Sequence, residues 1–121
     1  MDSLKIEIKA EQTFFKPGQI ISGNVQWCCS EVPYKASIQL LWYTEGKGDE
    51  DIGLAEEMRL ENLQASDSRW FEFQAPIGPY SFSGKLISLT WALELQAGKE
   101  CVRKEIVISP TGNEILLSSA G

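Results

Sequence analysis

Histidine is absent from the 121 residues, and with it go the Ser-His-Asp and Cys-His nucleophile pairs and the commonest zinc ligand. Positive charge is scarce too. Eleven Lys and Arg stand against 17 Asp and Glu, a formal charge of -6 at pH 7, the opposite of the footprint left by a reader of phosphate backbones. Nucleic acid and anionic membranes are therefore not expected partners. No apolar run approaches the about 20 residues of a membrane-spanning helix. The opening Met1 to Glu7 alternates charged with aliphatic residues and lacks the apolar region of a secretory leader. None of Asn24, Asn62 or Asn113 begins a glycosylation acceptor. Cysteine is limited to Cys28, Cys29 and Cys101, too few for a disulfide framework, and the adjacent pair would point to opposite faces of a strand. A bridge from Cys28 or Cys29 to Cys101 is geometrically conceivable. Free thiols in a reducing compartment are the expected state, with a cytoplasmic location.

What is present suffices for one core. The length is that of a single domain, and 43% apolar with 23% charged residues is a globular balance. Period-two alternation predicts strands. Leu4, Ile6 and Ile8 share one face, and so do Ile21, Gly23, Val25 and Trp27 after a turn at Lys16-Pro17-Gly18. Ile38 to Tyr43 forms a third strand ending at Thr44, Ile52 to Leu60 an edge-like fourth, and Trp70 to Gln74 a fifth that stops at Pro76. Gly98-Lys99 has the composition of a type II′ hairpin turn. That turn pairs Ala97 with Glu100, Leu95 with Val102, Trp91 with Ile106 and Leu89 with Ile108 on the apolar side, and Glu94 with Arg103 and Ser88 with Ser109 on the polar side. Lys104, opposite Leu93, falls on the apolar face, where a long stem reaches the sheet margin. Lacking any helical period, the chain is expected to be all-β: an antiparallel immunoglobulin-like β-sandwich of about seven strands over residues 1–110, followed by a tail, 111–121.

Candidate chemistry is sparse. Asp49 and Asp51 have the alternate spacing of a calcium loop, but Gly53 and Leu60 stand where further oxygen ligands are needed. Gly84-Lys85 resembles the end of a phosphate-binding loop, yet Leu86 follows it and Pro79 replaces the first glycine. Glu72 and Glu94 are the one carboxylate pair worth nominating for glycoside hydrolysis, and both belong to outer faces. No thiol has a histidine to activate it. An enzyme is thus not expected, and no metal or cofactor is implied.

Aromatics and apolar ends carry the remaining candidates. Trp27, Trp42 and Trp91 fall in phase with aliphatic neighbours and belong to the core. Trp70 alternates with Glu72 and Gln74, which predicts an exposed ring available to a ligand or partner. In the tail, Ile115-Leu116-Leu117 is an apolar triplet that reads as a disordered end or as a docking strand for a sheet edge. The acidic Gly46 to Asp51 connection, with Asp49, Glu50 and Asp51, is a further contact candidate.

Pro17-Gly18 followed by Ile21, Gly23 and Val25, then the run Phe71-Glu72-Phe73-Gln74-Ala75-Pro76-Ile77-Gly78-Pro79-Tyr80-Ser81-Phe82-Ser83-Gly84, then Trp91 in the next strand, form a motif series. It resembles the arrestin-type domain in the broad sense that includes α-arrestins, retromer subunit 26-like proteins and bacterial sporulation-control relatives. The resemblance spans Leu4 to Pro110 and implies a non-enzymatic adaptor or scaffold that binds other proteins through sheet edges and loops. Arrestins generally carry two such domains, and one is expected here. Their buried salt-bridge core and phosphate-sensing basic pair are not recognisable, so receptor regulation is not implied. The expected partner is a protein, a second copy included, bound through an edge strand or the tail at Trp70, Asp49 to Asp51 or Ile115 to Leu117. The alternative is a carbohydrate- or small-ligand-binding sandwich that uses Trp70.

Overall fold

The computed structural model describes residues 2–46, 50–83, 87–111 and 115–116. Asp49, Gly84, Lys85 and Leu117 lie outside the described residues. Seven strands have six residues or more: β1 (Ser3–Ile8), β3 (Ile20–Cys28), β4 (Ala36–Gly46), β5 (Ile52–Leu60), β6 (Ser66–Gln74), β8 (Ile87–Ala97) and β9 (Glu100–Ile108). Three two-residue strands, β2 (Phe14–Phe15), β7 (Phe82–Ser83) and β10 (Ile115–Leu116), and a 3-10 turn over Lys9–Glu11 complete the described elements. Among the described residues no helix is long and apolar enough to cross a membrane.

One sheet runs β1-β3-β6. In the other, β5, β4 and β8 lie side by side, and the far edge of β8 is shared by β9 and β7. The long strands pair antiparallel, whereas β2 joins β9 and β10 joins β7 in parallel. The alternating residues read from the sequence turn inward together. Ile6, Ile8, Ile21, Val25, Trp27, Phe71 and Phe73 from one sheet meet Ile38, Leu40, Leu89, Trp91, Leu93, Leu95, Ile106 and Ile108 from the other. Each such side chain contributes about 1.5–3 kcal/mol by leaving water. Burial of this stripe on both sheets is what selects a sandwich.

Local chemistry sets the turns. Gln19 N–H donates to Lys16 O at 3.0 Å, and Gly18 has φ of 84°, the arrangement of a type II turn with proline before glycine. Gly98 has φ of 61°, as a type II′ hairpin requires. The β8–β9 register then runs as expected from Ala97–Glu100 through Leu95–Val102 to Trp91–Ile106, with Glu94 beside Arg103 and Lys104 opposite Leu93. Lys104 is half-buried, and its charge is felt by Glu7 on β1.

Beyond Trp91 the expected register fails. Leu89 and Ser88 pair with Phe82 and Ser83 of β7, not with Ile108 and Ser109. Ser81, 1% exposed, is the cause. Its N–H donates to Ile108 O at 2.8 Å, and its Oγ accepts from Ile108 N–H at 3.0 Å, so a side chain replaces the ladder there. β9 then continues beside β2, where Val107 N–H donates to Thr13 O and Ser109 N–H to Phe15 O, at 2.9 and 3.1 Å. Ser81→Ala should cost about 1–3 kcal/mol, because the Ile108 N–H loses its acceptor in a dry site. Urea denaturation of the two proteins measures it.

Other boundaries also move. β4 continues past Thr44 to Gly46, and β6 begins at Ser66, four residues before Trp70. A bulge lies opposite the Leu40/Leu41 step, where Ala55 of β5 has no partner. This extra residue holds Leu54 on the outer face while Met58 and Leu60 pack against the core. Trp42 sits at the core margin rather than in its centre, its ring lying where a Cβ on Gly53 would be.

Candidate functional site

Trp70 is where its phase put it. It lies on β6 opposite Asn24 of β3 and is 57% exposed, whereas Trp27 and Trp91 are buried and have their indole N–H groups bonded to Gln64 O and Pro79 O, at 2.8 and 2.7 Å. Around Trp70 the outer face of the first sheet is polar. Ser22 stands directly opposite Glu72, and Asn24 exchanges hydrogen bonds with Ser68 at 2.9 and 3.1 Å. A groove of about 520 Å³ runs between Trp70 with Glu72 on one side and the Lys9–Glu11 turn on the other.

The nominated carboxylate pair does not form a cleft. Glu72 alternates with Phe71 and Phe73 and faces out from the first sheet, while Glu94 alternates with Leu93 and Leu95 and faces out from the second. The core lies between them. Glu94 is instead bound to Arg103 at 2.7 Å, and Arg103 lies 5.0 Å from the ring centre of Tyr43, whose hydroxyl donates to Glu105 at 3.0 Å. Burial first, and then the Glu105 bond, push the Tyr43 hydroxyl above its ordinary titration range.

Next to Trp70 on β6, Arg69 ties the first sheet together. Its guanidinium binds Asp67 Oδ2 at 2.8 Å and Asn62 O at 2.9 Å and lies 5.8 Å from the ring centre of Trp27. The Arg69 hydrogen bond, then the Ser68 N–H, hold the Asp67 carboxyl below its usual range. The sign follows from linkage: a carboxylate whose folded pKa is lowered adds stability above its unfolded pKa, and that stability is lost as pH falls through the folded value. Asp67 should therefore titrate below an ordinary aspartate in carboxyl-detected NMR, and Arg69→Ala should return it upward.

The remaining candidates separate in space. Glu50 and Asp51 are exposed, and Asp51 is tied to β4 by its N–H on Thr44 Oγ1 and its carbonyl accepting from Thr44 N–H, both 2.9 Å. Ile115 and Leu116 pair with Phe82 and Ser83 of the same chain, so these two residues dock as a strand on the chain's own sheet. Cys28, Cys29 and Cys101 are free. Among the described residues no cluster of three metal-ligating side chains occurs.

Sequence reasoning placed an edge-like strand at Ile52 to Leu60 but named none of its residues as a contact candidate. Among the described residues β5 pairs with β4 alone, leaving a nine-residue edge. It carries Ile52 and Leu54 at 61% and 57% exposed, beside Leu41 and Tyr43 on the outer face. Their alternation about Gly53 was visible in the sequence, but which face they occupy depends on the Ala55 bulge. Glu56 bridges the two sheets at this side, accepting from Gln74 N–H at 3.3 Å.

No family model and no curated protein matches the chain. Among solved structures, the sporulation control protein Spo0M from Bacillus subtilis aligns over 89% of this chain with a TM-score of 0.62 at 14% identity. The chain spans 49% of Spo0M, about half its length. A β-glucosidase from Listeria innocua, solved in complex with gluconolactone, aligns over 96% of this chain and 16% of its own, at a TM-score of 0.50 and 12% identity. At such identities the likeness is one of fold: a β-sandwich similar to that of Spo0M, whose fold is arrestin-like.

Proposed function

We propose that the chain is a non-enzymatic protein-interaction module of arrestin type, acting in the cytoplasm and receiving a partner strand along β5. The observation that carries this reading is the nine-residue edge that has no second strand partner among the described residues, with exposed Ile52 and Leu54. An edge strand offers unpaired N–H and C=O groups to an added strand, and flanking apolar side chains supply the selectivity. Glu56, Glu57 and Arg59 on the same strand disfavour indiscriminate pairing, because a partner must complement their charges. The arrestin-like motif series and the fold likeness to Spo0M support the assignment.

Crosslinking mass spectrometry on the full chain tests it. A discrete protein, or a second copy, should be crosslinked at β5, and Ile52→Lys with Leu54→Lys should weaken its capture at least tenfold while leaving the melting temperature within a few degrees. Absence of any discrete crosslinked partner, together with a monomer in light scattering, overturns the proposal.

A further inference from the structure

The groove beside Trp70 is on the opposite sheet from Ile52 and Leu54 and has its own chemistry. Its volume, about 520 Å³, lies within the range of small-molecule sites. One wall presents an exposed indole, and the lining also includes Ser22, Glu72, Lys9, Gln19 and Ile20. Three of these polar groups are unspent: among the described residues the side chains of Lys9, Ser22 and Glu72 make no hydrogen bond or ion pair. The larger recess of about 690 Å³ on the other sheet is lined by no tryptophan. There Glu57 is already held by Gln39 at 2.9 Å and by Arg59 at 3.0 Å.

We propose that the Trp70 groove binds a neutral oligosaccharide, with one pyranose ring stacked on the Trp70 indole and its hydroxyls bonded to Ser22, Glu72 and Lys9. A pyranose has an apolar C–H face that matches an aromatic plane and a rim of hydroxyls that both donate and accept. That rim meets a donor in Lys9, an acceptor in Glu72 and a group of both kinds in Ser22. The single positive and single negative charge offset each other, which favours an uncharged ligand. Ser22 and Glu72 are directly opposed across β3 and β6, about 5 Å apart at Cβ, close enough to hold neighbouring hydroxyls of one ring.

The test uses the full chain on an array of neutral glucan, mannan, galactan and xylan oligosaccharides, followed by calorimetry with the best-retained one. At least one class should be retained. Trp70→Ala should weaken binding at least tenfold and Glu72→Gln several-fold, while Tyr34→Ala, in a loop outside the groove, leaves it unchanged. In NMR the Trp70 indole N–H signal should shift on titration, and those of Trp27 and Trp91 should stay. Retention of no oligosaccharide, or Trp70→Ala and Glu72→Gln proteins that bind as tightly as the wild type, overturns the proposal. Loss of the β5 partner does not bear on it, since the two surfaces lie on opposite sheets.

Discussion

Gly23→Ala should remove about 4 kcal/mol or more of stability, placing it among the rare severe single substitutions. Gly23 lies on β3 opposite Ile8 of β1 and Phe71 of β6, fully flanked by backbone. A Cβ built on it would overlap the Glu7 carbonyl oxygen and lie 2.9 Å from Ile8 Cα. Backbone cannot rotate away as a side chain does, so relief requires β1 to separate from β3 and exposes Ile6 and Ile8. Urea denaturation should show a lower midpoint, and amide exchange should show β1 opening first. Gly18 is the internal control. Nothing lies within 4 Å of its Cβ position and only its φ of 84° resists substitution, so Gly18→Ala should cost only about 1–2 kcal/mol.

Trp91→Ala should cost about 3–5 kcal/mol. Its ring is 1% exposed and occupies the middle of the second sheet, between Trp42 of β4 and Ile106 of β9. Removing it leaves a cavity bordered by strands that cannot collapse without losing their ladders. The indole also holds the Pro79 carbonyl at 2.7 Å, which fixes the segment that crosses from β6 to β7. Trp91→Phe separates the two contributions: it keeps much of the volume, loses the hydrogen bond and should cost less than the alanine variant. If Trp91→Phe is as damaging as Trp91→Ala, the Pro79 bond and not the packing is what the ring supplies.

Seven strands were legible, and for all but β5 the inward phase of their side chains too, because alternation repeats along them. Trp70 was legible for the same reason, since one residue out of phase with Phe71 and Phe73 must face outward. The two-residue strands Phe14–Phe15 and Phe82–Ser83 were not, because they contain no period; Ile115–Leu116 was visible as one of two readings of an apolar triplet, a docking strand or a disordered end, and the pairing with Phe82 and Ser83 selects the strand. The hairpin register could be counted from Gly98 but not past Trp91, where the partner of Ile108 is a serine 27 residues away. That contact belongs to tertiary packing and leaves no local trace. Glu72 and Glu94 were each placed on an outer face, yet which of two outer faces depends on which strands share a sheet. The β5 surface depended on a bulge with no sequence mark of its own, since alanine fits strand and bulge alike. The groove needed the Lys9–Glu11 turn to stand beside Trp70, a proximity created by the return of β3 along β1.

The wedge at Ser81 also orders events in time. The β8–β9 hairpin joins residues a few positions apart and needs little loop closure, whereas β3–β6 pairs Ile20 with Gln74 and Cys28 with Ser66 across long intervening chain. Ile108 can complete its bonding only after the segment leading out of β6 has crossed to the second sheet. Its amide hydrogen therefore reports the joining of the sheets separately from formation of the hairpin, making one residue a clock for assembly of the sandwich.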